Sequence, residues 1–183
     1  MDVEKEKQKF RNHVATLADY GNIKIIDFKN PNSDVYQIRF IFEEDYCKLH
    51  ISGDMGEMIA TNRYNMTYEK FSDFVNNTRY FEDKIDCMSR GLYYWNEDKA
   101  LKQIEEMLKE YGYNPTEMED EIEEILLDFE DGLSLDGKKK LTEFVSISYE
   151  DAEKIGRYMT SILDLYMLAF KLAVERLNED TDM

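Results

Sequence analysis

The run Val35-Tyr-Gln-Ile-Arg-Phe-Ile-Phe42 alternates between two sets: Val35, Gln37, Arg39 and Ile41, then Tyr36, Ile38, Phe40 and Phe42. Successive side chains of a strand point to opposite faces, so the uniformly apolar second set is expected to face a core. Working outward, Ile23 to Phe28 and Tyr46 to Ser52 share the same Ile- and aromatic-rich character. The turn-forming Asn30-Pro-Asn-Ser-Asp34 and the acidic Glu43-Glu-Asp45 separate the three runs. Gly53-Asp-Met-Gly56 then reads as a tight turn into a short strand from Glu57 to Thr61. The expected fold class is α+β: an N-terminal antiparallel β-meander of three to four strands with flanking helices, followed by an all-helical C-terminal half. The expected division is a sheet domain over 1–96 and an acidic helical domain over 97–183.

Helical spacing fills the rest. Phe10, Val14, Leu17 and Tyr20 predict one face of a helix over 3–20, closed by Gly21-Asn22. Two short helices are expected over Tyr68 to Asn76 and Tyr80 to Met88. Asn96 reads as the cap of a helix running to Gly112, with Glu97 and Asp98 where the helix dipole favours anions. Asn114-Pro115 with Glu117 is a second start signal, and Gly132 its stop. A short helix is expected over Lys138 to Val145. Ser148-Tyr-Glu-Asp151 resembles a capping box for a final helix to about Asn178. Ile155, Met159, Ile162, Tyr166, Ala169, Ala173 and Leu177 give that helix one apolar stripe, and Leu165, Leu168 and Leu172 a second. Two stripes need two sets of neighbours, either core on both sides or a homodimer partner on one.

The 183 residues carry a formal charge of −17, yet 43% are hydrophobic and 13% aromatic, which supplies a core and argues against disorder. Residues 1–96 contribute 16 acids and 13 bases, residues 97–183 contribute 24 and 10. Such a chain is repelled by nucleic acid and by anionic membranes and attracted to basic protein surfaces. Two isolated cysteines, Cys47 and Cys87, do not form a disulfide framework, and the charged start Met1-Asp-Val-Glu-Lys-Glu-Lys has no apolar signal region. The expected location is the cytoplasm of a bacterial host cell.

No basic residue occurs between Lys109 and Lys138. Within that interval Met118, Ile122, Ile125, Leu126 and Phe129 recur at helical spacing, so the acids around them are expected to be ordered. Glu117, Asp120, Glu121, Glu124, Asp128 and Asp131 predict a row of carboxylates, widened by Glu119, Glu123 and Glu130. Neighbouring acids three or four apart rise about 5 to 6 Å, and duplex DNA shows about one charge per 3.4 Å of each strand. Each like-charged pair four apart costs roughly 0.2–0.5 kcal/mol. The row is therefore either a solvated face or a mimic of phosphates, and Tyr113, with Tyr111, adds rigid contact area beside it.

Enzyme signatures are sparse. No nucleophile elbow, P-loop or dinucleotide fingerprint occurs, and no Cys/His spacing resembles a zinc site. His13 and His50 are expected to be structural, and Cys47 and His50, three apart on a strand, to face opposite ways. Asp54 and Glu57 form the best local carboxylate pair for a metal, but the motif is short, nuclease sites normally add a lysine or histidine close by, and a backbone-bonded turn accounts for Asp54. No cofactor and no metal are expected.

His50-Ile-Ser-Gly-Asp-Met-Gly-Glu-Met58, Tyr80-Phe-Glu-Asp-Lys84 and Tyr94-Trp-Asn-Glu97 resemble a group of small phage and prophage proteins of Gram-positive bacteria, over about a quarter of the chain. Some members of that group sit among counter-defence genes and include anti-CRISPR candidates. The resemblance carries no catalytic residues. It implies a non-enzymatic inhibitor that binds a type II Cas nuclease with its guide RNA and blocks target DNA. The alternative is an acidic interaction protein aimed at another nucleic-acid-binding host protein, such as a restriction enzyme, polymerase or repressor. Neither direct nucleic-acid binding nor membrane association is expected.

Overall fold

The computed structural model describes residues 2–74 and 76–181. In chain order its elements are α1 (Val3–Lys9), β1 (Val14–Asp19), β2 (Ile23–Asn30), β3 (Ser33–Glu43), β4 (Lys48–Gly53), β5 (Met58–Thr61), α2 (Thr78–Glu82) and β6 (Ile85–Met88). Then follow β7 (Tyr93–Trp95), α3 (Glu97–Glu110), α4 (Glu119–Leu126), α5 (Leu135–Phe144), α6 (Tyr149–Ala152), β8 (Arg157–Met159) and α7 (Ile162–Thr181). The chain divides into two compact units, residues 1–91 with 161–183, and residues 92–160.

The first unit is built on a six-stranded antiparallel meander in the order β1-β2-β3-β4-β5-β6. Ile38, Phe40 and Phe42 point into the core as their alternation requires, joined by Ile26 and Phe28 of β2 and Leu49 and Ile51 of β4. Helix α7 supplies Leu163, Tyr166, Met167, Ala169, Phe170 and Ala173 to the same core. The Phe170 ring lies 4.7 Å from Phe71, 5.5 Å from Phe40 and 5.9 Å from Phe42, centroid to centroid. The Tyr166 hydroxyl donates to the Gly56 carbonyl at 3.2 Å, and burial pushes its pKa up to about 12. The Arg176 guanidinium donates to the Phe10 carbonyl at 2.7 Å, tying the far end of α7 to the segment after α1.

Two expectations fail here, and the sheet gains strands from each. The helix over 3–20 ends at Lys9, and residues 14–19 form β1, in register with β2 from Val14↔Lys29 to Asp19↔Lys24. Phe10 is buried, but Val14, Leu17 and Tyr20 are exposed. Gly21 adopts φ +83°, a conformation that serves a helix stop and a tight hairpin equally well, and here it turns β1 into β2. The helix over Tyr80 to Met88 shrinks to α2, and Ile85–Met88 pairs with β5 as β6. Only a 3-10 turn, Phe71–Asp73, forms within Tyr68 to Asn76, and position 75 of that expectation lies outside the described residues.

The second unit packs α3, α4 and α5 around Ala100, Ile104, Leu108, Ile122, Ile125 and Leu141. The Asn96 side chain accepts from the Lys99 amide at 2.9 Å, the cap expected of it. Helix α5 starts at Leu135, one turn earlier than read, because the Ser134 hydroxyl accepts from the Gly137 amide at 3.1 Å. The unit is not all helical: β7 and β8 pair antiparallel, Tyr93↔Met159 to Trp95↔Arg157. The rings of Tyr94 and Tyr158 stack there at 5.1 Å.

That ribbon exists because the expected final helix is broken. Ser148 does cap: its hydroxyl accepts from the Asp151 amide at 3.0 Å and donates to the Asp151 carboxylate at 2.7 Å. The Ser148 hydroxyl and the Lys154 ammonium hold the Asp151 carboxyl below the usual carboxylate range. The helix so started stops at Ala152. Gly156 takes φ +75°, and a Cβ there would sit 2.9 Å from the Asn96 carbonyl oxygen and 2.9 Å from the Phe129 ring. Ile155 and Met159 therefore do not continue the stripes of α7. Because α7 packs on the sheet, the chain does not divide into contiguous halves at 96/97. The buried residues of α7 are covered within its own chain. Among the described residues no helix is long and apolar enough to cross a membrane.

Candidate functional site

The acid-rich second unit holds 19 acids and 8 bases, a formal charge of −11 in 69 residues. Its densest part begins where Asn114 caps a 3-10 turn, Pro115–Glu117, accepting from the Thr116 amide at 3.3 Å. Helix α4 follows after Met118, with Glu119, Asp120 and Glu121 in its first turn, where unpaired backbone amides favour negative charge. Ile122 and Ile125 are buried and pin the helix to its neighbours, while Met118, Leu126 and Phe129 pack partly buried against the same cluster. The seam read from the sequence is therefore the inner face.

The row of carboxylates is not one helix face, which corrects the expected capped helix from Asn114 to Gly132. Leu127 leaves the helix with ψ 132°, and Asp128 takes φ +59°, a left-handed conformation that aspartate tolerates better than most residues. Only Asp120, Glu121 and Glu124 of the six acids lie on α4. Glu117 precedes it on the 3-10 turn, and Asp128 and Asp131 follow it in a loop. Two of the six are also engaged: Glu117 accepts from the Asn114 side-chain amide at 2.9 Å, and Glu124 pairs with Lys140 of α5. Lys138 reaches Glu153 and Lys139 reaches Asp136, so all three lysines that end the base-free interval pair with acids.

Tyr113 is 39% exposed, and its ring meets Phe144 edge-on at 5.8 Å. The hydroxyl of Tyr111 donates to the Ser146 carbonyl at 3.2 Å. Both rings are held in place with one side in solvent, as an anchor residue requires.

A groove of 420 Å³ lies beside this array, between α3 and the segment from Asn114 to Leu126. Leu101, Ile122, Leu126 and Pro115 give it an apolar floor. Glu105 of α3 and Glu119 and Glu123 of α4 rim it, with Lys109 at one end. Among the described residues none of these three glutamates is in an ion pair. Glu119 and Glu123 stand only at the margin of the row expected from the sequence, and Glu105 lies outside it. The spacing Leu101, Glu105, Lys109 on one face of α3 is the signal that could have found it.

Asp54, Glu57, both cysteines and both histidines lie in the first unit. Asp54 bonds through its backbone, its amide donating to the Gln37 carbonyl at 3.2 Å and its carbonyl accepting from Arg90 at 2.9 Å. The Glu57 amide donates to the Ser89 hydroxyl at 2.8 Å. Among the described residues no group of three or more His, Cys, Asp or Glu is placed to hold a metal ion. Cys47 and Cys87 are both free thiols. The Cys47 thiol faces the Arg63 carbonyl, whereas His50 lies 3.3 Å from the Glu43 carboxylate.

His13 is not on α1 but in the turn before β1, 4% exposed between the rings of Phe10 and Phe28. Its Nε2 lies 3.1 Å from the Tyr36 carbonyl, a donor's position. Burial first, and the Arg176 cation second, push its pKa below the ordinary value, against the Tyr36 bond.

Comparison of the chain with family models, with curated proteins and with solved structures found no match.

Proposed function

We propose that this protein is a non-catalytic inhibitor whose acidic unit, residues 92–160, binds the basic surface of a nucleic-acid-binding protein and competes there with nucleic acid. The observation that carries this reading is the ordered exposure of acid on α4. Ile122 and Ile125 are buried beneath the helix, while Asp120, Glu123 and Glu124 stand on its outer side. Arginines and lysines of a nucleic-acid channel bind phosphates by charge-assisted contacts, and fixed carboxylates satisfy the same donors. A charge of −11 on a small unit also speeds encounter with such a channel.

The resemblance of residues 49–97 to phage and prophage proteins names the sharper target, a type II Cas nuclease with its guide RNA. Its rim of DNA-reading arginines would be occupied by the acids, with Tyr113 as a packing anchor. A restriction enzyme, polymerase or repressor of the host would offer the same chemistry.

The test is co-purification with a guide-loaded Cas nuclease, with and without target DNA. Binding that DNA displaces, and that falls when Asp120, Glu121, Glu123 and Glu124 are changed together to Asn or Gln, supports competition. Binding unaltered by those four changes and by salt sinks the electrostatic reading.

A further inference from the structure

The groove between α3 and α4 has a chemistry that a bare acidic surface lacks. Leu101, Glu105 and Lys109 follow one another at four-residue intervals on α3, spanning about 12 Å at the rise of an α-helix. Opposite them Glu119, Ile122, Glu123 and Leu126 span about 10 Å of α4. The result is an apolar trough about two helical turns long, with carboxylates on both rims. The three glutamates exceed the single Lys109, and among the described residues none of them has an ion-pair partner like those of Glu124 and Asp136.

We propose that this groove receives a basic amphipathic helix of the partner protein. One apolar side chain of that helix lies on Leu101, Ile122 and Leu126. Lysines or arginines on either side of it reach Glu105 on one rim and Glu119 and Glu123 on the other. Long cationic side chains suit this arrangement because their methylene stems cover apolar floor while the charged heads meet carboxylates. An extended basic tail would find the acids but leave the floor uncovered. A neutral apolar helix would cover the floor but leave the rims without counter-charge. The complementarity of floor and rims together selects the amphipathic cationic occupant.

This inference rests on the proposed binding to a basic protein and names the structural element bound. The probe is a fluorescent synthetic peptide of about 14 residues, long enough to fold on contact, with leucine and lysine at helical spacing. Its control has the same composition, scrambled so that the leucines share no face. Binding is followed by anisotropy at physiological salt, using the full chain.

The patterned peptide is expected to bind with one-to-one saturation, at least about tenfold tighter than the scrambled one. Thr116→Trp fills the groove from an exposed position without changing charge, and it is expected to weaken the patterned peptide at least about tenfold. Glu119→Gln with Glu123→Gln is expected to weaken it and flatten its salt dependence. Far-UV circular dichroism confirms that each variant keeps its helices. Equal affinity for both peptides, or affinity unchanged by Thr116→Trp, overturns the groove proposal. Those results would leave DNA-competitive binding to a Cas nuclease intact, so the two readings fail separately.

Discussion

Replacing Phe170 by alanine is the most direct test of how the first unit is held together. The ring is 2% exposed and sits against Phe40 and Phe42 of β3, Phe71 of the connecting segment and, at 6.4 Å, Tyr68. Removing a buried phenylalanine costs the transfer energy of the ring plus the cavity it leaves, about 3–5 kcal/mol. Four edge-on ring contacts, each adding about 0.5–1.5 kcal/mol beyond burial, place the loss toward the upper end. Domain stabilities lie at roughly 5–15 kcal/mol, so one side chain removes a third or more of a typical total. With a urea slope of about 2 kcal/mol per molar, the midpoint should fall by roughly 2 M. Lys171→Ala, one residue along and exposed, should change stability by no more than about 0.5 kcal/mol. The assay is urea unfolding followed by far-UV circular dichroism. A midpoint for Phe170→Ala within about 0.5 M of the parent, at unchanged slope, would refute the packing of α7 on the sheet.

His13 is held with its pKa below the ordinary 6.5, so on acidification the unfolded chain takes up its proton before the folded chain does. Its contribution is present above pH 6.5 and is lost as pH falls through that value toward the depressed one; His13→Phe should flatten the fall in stability that begins near pH 6.5 on acidification. Gly156→Ala forces a Cβ against the Asn96 carbonyl in a left-handed conformation and should cost about 2 kcal/mol or more, read from the same urea curves. Lys140→Gln releases Glu124, whose side chain is 62% exposed; thermal melting should show a loss below about 1 kcal/mol, while affinity for a basic partner rises.

Much of the sheet was legible in the sequence because its signals are local. The alternation across residues 35–42 fixes which side chains are inward, and Asn96 and Ser148 cap their helices by bonds that span three residues. What could not be read are the pieces whose local pattern fits two structures. Val14, Leu17 and Tyr20 are spaced for a helix, yet six residues of pairing with β2 make that segment a strand. Ile85–Met88 is likewise recruited by the open edge of β5. Gly156 stood in plain view within an apparently helical run, and its positive φ is what lets β8 form.

The candidate site divides along the same line. Composition and spacing alone established that residues 109–138 hold an ordered acidic segment with one apolar face, because burial of that face is a local consequence of helical periodicity. Only the tertiary structure decided which acids stay available. Lys140 arrives from the next helix to neutralise Glu124, and Asp128 turns the chain out of α4. The packing of α3 against α4 opens the groove that joins Glu105 to Glu119 and Glu123. Charge along a sequence is additive, but the pairing of charges depends on which helices meet, and that is a property of the fold.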